Sequence, residues 1–167
     1  MRTASLPQCR RSITRSVPDM RKGVRLCLDL GSKRVGVARS DAHGMLAVPV
    51  AVLDAESDWL TDLRQLLDEQ SVLEIIVGLP VSLRGTEEIA ATHVRERVDA
   101  LRTAIPSIPI RLVDERLTSA SAHRQLRNAG HSSKSARSVV DAAAATELLE
   151  FALEFERRTG TAAGEAV

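Results

Sequence analysis

The spacing of apolar positions changes several times along the chain. Residues 24 to 29, 35 to 40 and 45 to 53 are short β-rich runs separated by "GSKR" and "DAHG". Connections that short join only antiparallel neighbours, so the pattern predicts a three-stranded meander. Ser57 or Asp58 then caps a helix in which Leu60, Leu63 and Leu67 recur at helical spacing. "LEIIVG" at 73 to 78 is a continuous apolar run, the pattern of a strand covered on both faces. After "LPVSLRGT", Thr86, Glu87 and Glu88 open a helix with Ala90, Val94, Val98 and Leu101 on one stripe. "IPIRLVDE" at 108 to 115 predicts a fifth strand. Thr118 or Ser119 starts a short helix ended by Gly130, and Ser132 or Ser133 starts the last helix, running to about Arg158. The tail from 159 to 167 reads as disordered. The order βββαβαβα predicts an α/β domain, a five-stranded mixed sheet with helices on both faces.

Against this pattern, several carboxylates stand out. Asp29 closes the buried run Val24–Leu28, where an unpaired charge costs several kcal/mol. Asp141 sits between Val139–Val140 and four consecutive alanines, although aspartate is a poor residue for a helix interior. The small alanines let this helix lie close to the sheet, so a short side chain reaches a strand end. The plain alternative for Asp141 is a surface pair with Arg137 one turn earlier. Asp114 and Glu115 end the fifth strand with side chains on opposite faces, so only one of them aims at any one site. Carboxylates brought within ~5 Å repel unless a cation sits among them, and hard oxygen ligands select Mg²⁺ or Mn²⁺. Such ions hydrolyse phosphodiesters. Zinc is disfavoured because His43, His93, His123 and His131 are scattered and no His/Cys cluster exists.

Charge extends the picture. Lys134, Arg137 and Asp141 share one face of the last helix, and Arg34, Arg84, Arg116, Arg124 and Arg127 fall near the same sheet edge. Ringing acidic ligands, Arg34, Arg84, Arg116, Lys134 and Arg137 suit a phosphate backbone. The loop with Gly78, Pro80 and Gly85 would let backbone approach a phosphate closely. Trp59, Phe151 and Phe155 are the only aromatic residues and all read as core. Without a stacking platform, recognition should be of nucleic-acid shape rather than of single-stranded bases. Residues 1 to 23 carry six basic side chains and only Asp19 as an acid, a flexible arm suited to a polyanion, or a tail ahead of a start at Met20. The folded remainder is expected to run from 24 to 158.

The other bounds are brief. At 167 residues with 44% hydrophobic and 27% charged, the chain is one globular domain, not comfortably two. No apolar stretch approaches the ~20 residues of a membrane span, and no secretory h-region precedes the domain. Cys27 reads as core and Cys9 as a free thiol, so a disulfide framework is excluded. A cytoplasmic protein is expected.

The segment from about 24 to 157 resembles the YqgF (RuvX) family of RNase H-like nucleases, related to RuvC-type Holliday junction resolvases. The motifs that carry the resemblance are "DLGSKRVGVARSD", "IIVGLPVSLRGTE", "VDERLTS" and "KSARSVVDAAAATELL". It implies an RNase H-like fold and a nuclease maturing the 5′ end of pre-16S ribosomal RNA, with junction resolution as the other activity. It also implies Asp29, Glu115 and Asp141 as catalytic, metal-holding acids. The fourth strand ends "VGLP" without the carboxylate of RuvC, which passes that role to "DER". A resolvase cutting two strands symmetrically implies a homodimer. Two other readings remain. One is a nucleic-acid-binding ribosome-assembly factor that does not cut. The other is an ATP-dependent phosphotransferase sharing D-x-G-x-x-x-x-G at Asp29, Gly31 and Gly36, which requires two such domains.

Overall fold

A computed structural model describes residues 20–68, 71–81, 89–118 and 134–167, excluding the side chains of 134–141. The strands are β1 (Val24–Leu30), β2 (Arg34–Ser40), β3 (Ala47–Asp54), β4 (Val72–Leu79), β5 (Ile110–Asp114) and β6 (Glu165–Ala166). The helices are α1 (Trp59–Asp68), α2 (Ile89–Ala104) and α3 (Lys134–Thr159), with a 3-10 turn at Glu115–Leu117. The strands form one mixed sheet in the order β3-β2-β1-β4-β5-β6. The meander β1–β2–β3 is antiparallel, whereas β4 and β5 continue the sheet parallel to β1.

Strand alternation divides β1 between two cores. Leu26, Leu28 and Leu30 join Trp59 and Leu63 of α1 and Ala91, Val94, Val98 and Leu101 of α2. Cys27 faces the other way, onto Ala145, Leu148, Leu149 and Ala152 of α3. Asp29, two residues on, therefore points to the α3 side. Asp58 caps α1, its carboxylate accepting from the Thr61 amide and hydroxyl at 3.3 and 2.6 Å. None of the described helices is long and apolar enough to cross a membrane.

Several expectations are corrected. The sheet has six strands, because the tail expected to be disordered returns to pair with β5. Arg111 holds it there by donating to the Ala163 and Gly164 carbonyls, each at 2.8 Å. Ala91, not Ala90, lies on the buried stripe of α2, and Phe155 is exposed rather than core. Gly78 lies inside β4 and not in a loop. The proposed helix between Thr118 and Gly130, the loop around Arg84 and Gly85, Arg124, Arg127 and Cys9 lie outside the described residues.

The last part of the basic arm is docked instead of free. Arg21 donates to Glu74 (2.6 and 3.1 Å) and to Glu156 near the end of α3 (2.8 and 2.9 Å). Arg25, on the α3 side of β1, donates to Glu156 at 3.0 Å and contacts Glu74 at 3.4 Å. Arg25, Glu74 and Glu156 are all buried. Two arginines and two glutamates thus lock the start of β1, the start of β4 and the end of α3 together.

Candidate functional site

The site lies at the opposite end of β1. Asp29 is 4% exposed. Its antiparallel neighbour on β2 is Gly36. On the other side Leu28 pairs with Val77, so the next residue of β4, Gly78, comes level with Asp29. The acid is thus flanked by two residues without side chains, which leaves room above the sheet on the α3 side.

Glu115 fills part of that room. It is 3% exposed and begins the 3-10 turn that follows β5. A Cβ placed on Gly78 would collide with Glu115 Oε1 and press on Leu148 Cδ2 at 3.0 Å. The absence of a side chain at position 78 is therefore what admits the Glu115 carboxylate. Both acids also act on one group. The buried Cys27 thiol is pushed well above its ordinary value, first by burial and then by the negative charges of Asp29 and Glu115. Both carboxylates are thus near enough to one thiol for their charge to reach it.

Asp114 is used differently. It caps the 3-10 turn, accepting from the Arg116 amide at 2.9 Å, and it takes Arg116 Nη2 at 2.5 Å and Nε at 2.9 Å. The Arg116 side-chain hydrogen bond holds the Asp114 carboxyl below the usual carboxylate range. The adjacent acids thus divide into a structural cap and a buried member of the site, as strand alternation predicts.

The remaining candidates are placed as follows. Arg34 begins β2 on the face it shares with Gly36 and Ala38, the α3 side, and is half-buried. Arg116 is engaged with Asp114. Lys134, Arg137 and Asp141 are backbone positions of α3, with Asp141 one turn before Ala145; their side chains lie outside the description. Arg84 does also. His43 and His93 are exposed beside Asp41 and Glu96. Among the described residues no trio of His, Cys, Asp or Glu is placed to hold a metal. The donor set at hand is two buried carboxylates, and such hard oxygens suit a divalent ion of the Mg²⁺ class.

Sequence reasoning missed one participant. Arg97 of α2 reaches the turn after Asp29 from the other face, donating from Nη1 to the Gly31 carbonyl at 2.7 Å. Nothing in the pattern separates it from the other arginines of that helix, because its role depends on packing.

A family model described as RuvX, Holliday junction resolvase, matches residues 23–155. The chain belongs to the RuvX family. A relative from Nocardioides sp., provisionally named a pre-16S rRNA nuclease, is 45% identical over 153 residues, covering 89% of this chain and 98% of the relative. A Streptomyces coelicolor relative with the same provisional name is 45% identical over 152 residues, covering 90% and 91%. Among solved structures, Thermus thermophilus RuvC in complex with a Holliday junction substrate matches with a TM-score of 0.54 at 16% identity, covering 86% of this chain and 99% of RuvC. That likeness establishes the RNase H-like fold that the resemblance implies.

The geometry of this RuvX-family site makes a direct prediction. Gly78→Ala should displace the Glu115 carboxylate and press on Leu148, overpacking by one methyl that costs about 1–3 kcal/mol. Cleavage should fall by more than about tenfold while the melting temperature drops by about 2–12 °C with the two-state transition kept, a split read by parallel activity and thermal melts.

Proposed function

We propose that the chain is a divalent-metal-dependent endonuclease that processes the 5′ end of pre-16S ribosomal RNA. The observation that carries this reading is the buried pair Asp29 and Glu115 at one end of β1 and β5, with Gly78 leaving the room that the Glu115 carboxylate occupies. The names of the relatives supply the substrate class. In this reading Asp29 and Glu115, joined by Asp141 from α3, hold Mg²⁺ or Mn²⁺. The ion, when bound, activates water and stabilises the leaving oxygen of a phosphodiester. Burial keeps the two carboxylates in fixed rotamers and excludes bulk water from their inner side. Arg34, on the same face, with Arg84, Lys134 and Arg137, orients the phosphate backbone, and Arg116 is held at the rim by Asp114. The nuclease unit runs from the docked Arg21 through β6, and work on ribosomal precursors implies a cytoplasmic location.

The test is a side-by-side digestion. Purified protein with Mg²⁺ or Mn²⁺ receives a 5′-extended 16S precursor and a four-way DNA junction. Metal-dependent shortening of the RNA with the junction intact is the expected result. Cleavage of the junction alone would assign branched DNA as substrate. Tight RNA binding with no cleavage in either ion would make the chain an assembly factor.

A further inference from the structure

We infer that Arg97 is a positioning residue for the acidic site, acting across the sheet through the Gly31 carbonyl. The inference deepens the reading of Asp29 as a metal ligand and rests on it. Arg97 projects from α2 on the face opposite α3 and so cannot touch a phosphate held over Asp29 directly. Its guanidinium carbon lies 4.7 Å from the centre of the Trp59 ring, and Nη1 donates to Gly31 at 2.7 Å. Nη2 is buried with no hydrogen-bond partner. No carboxylate among the described residues pairs with this cation, and burial alone lowers its hold on the proton.

Arg97 is half-buried, and at its buried Nη2 the stacked ring and one carbonyl offset only part of the lost hydration. A methionine or leucine would pack against Trp59 without that cost. The carbonyl bond is the feature those residues cannot supply. What it fixes is the β1–β2 turn. The Gly31 amide donates back to the Asp29 carbonyl at 3.0 Å, and the Ala55 amide donates to the Lys33 carbonyl at 3.0 Å. A Cβ on Gly31 would lie 2.7 Å from the Arg34 carbonyl, so the turn has no slack. Asp29 stands at one end of this turn and Arg34 at the other, both on the α3 side. Arg97 is the tie that reaches the turn from beneath, and it sets the spacing between the acid and the first phosphate-orienting cation.

Two variants test this in the full chain. Arg97→Met keeps a flexible apolar stem against Trp59 and removes the donors; Arg97→Lys keeps a cation and a donor. In metal-free protein, Arg97→Met should speed amide exchange at Gly31 and Ala55 about tenfold, the loss expected for one hydrogen bond from a charged donor. Its melting temperature should change by only a few degrees. Mn²⁺ affinity, read by paramagnetic relaxation of water protons, should weaken about tenfold, as for residues that orient metal ligands. Arg97→Lys should recover part of both losses, and it supplies the same readouts if Arg97→Met does not fold. Unchanged exchange at Gly31 overturns the inference, as does faster exchange with wild-type Mn²⁺ affinity. If wild-type protein binds no Mn²⁺, the metal reading of Asp29 fails and the inference with it, a result told apart by exchange that still responds to Arg97.

Discussion

Asp29→Asn should remove cleavage while leaving the chain folded and able to bind RNA. The substitution keeps the side chain's shape at a position with glycines on either side, so packing is preserved, while one acceptor oxygen becomes an amide donor. It deletes one of two buried negative charges that act on the Cys27 thiol. Residues that merely support metal ligands cost ~10–100-fold when changed, and a ligand should cost more, so loss beyond about a hundredfold is expected in single-turnover cleavage. Relief of carboxylate repulsion should leave the metal-free melting temperature equal to or above that of wild type. The Cys27 thiol should also titrate at lower pH, because one of the charges raising it is gone. A variant that cleaves within a few-fold of wild type would remove Asp29 from the chemistry.

Glu156→Ala should destabilise the fold strongly, although the side chain lies far from the acidic site. Glu156 accepts from Arg21 and from the buried Arg25. Truncation leaves Arg25 its bonds to the Gly23 and Arg21 carbonyls, with Glu74 at 3.4 Å as the remaining carboxylate. Breaking a buried pair typically costs 3–5 kcal/mol, and the remaining Glu74 contact sets the expectation at about 3 kcal/mol. At roughly 2–4 °C per kcal/mol for a domain of this size, the melting temperature should fall by about 6–12 °C. Acid should erase the difference. Burial opposes the Glu156 charge, but the Arg21 hydrogen bonds and the charges of Arg25 and Arg21 overcome it, and the carboxyl sits below the ordinary glutamate value. A group lowered on folding stabilises fully above its unfolded pKa and loses that contribution as pH falls through the folded one. Wild type and variant should therefore converge as the pH drops below the ordinary carboxylate range. Equal stability at neutral pH would show that the cluster is energetically idle.

The parts of the fold legible in the sequence were those with a strong local pattern. The meander, the continuous β4 run and the alanine-rich last helix followed from periodicity and short connections, and Asp29 stood out as a polar end to an apolar strand. Features set by distant contacts were not legible. β6 has no alternating pattern and exists because Arg111 captures the Ala163 and Gly164 carbonyls. Glu74 sat unnoticed within "LEIIVG", and Arg21 read as part of a free arm, because their partners are 53 and 135 positions away in the chain. Gly78 read as a loop glycine, since only the Glu115 carboxylate above it reveals why a side chain is excluded. The division of labour between Asp114 and Glu115 was half legible: alternation predicted opposite faces, and the Arg116 fork shows which acid the local turn consumes.

The central claim, that Asp29 and Glu115 together hold a divalent ion, is tested most directly by thermal melts in chelator and in Mg²⁺ of wild type, Glu115→Gln and Asp114→Asn. Binding to the native state alone stabilises by RT ln(1 + [L]/Kd), or ~2.7 kcal/mol at a hundredfold excess over Kd. Wild type should show that gain. Asp114→Asn should start from a lower melting temperature, having weakened the cap and the Arg116 fork, yet gain as much from Mg²⁺. Glu115→Gln should gain little or nothing. A full Mg²⁺ response in Glu115→Gln, or its loss in Asp114→Asn alone, would contradict the account.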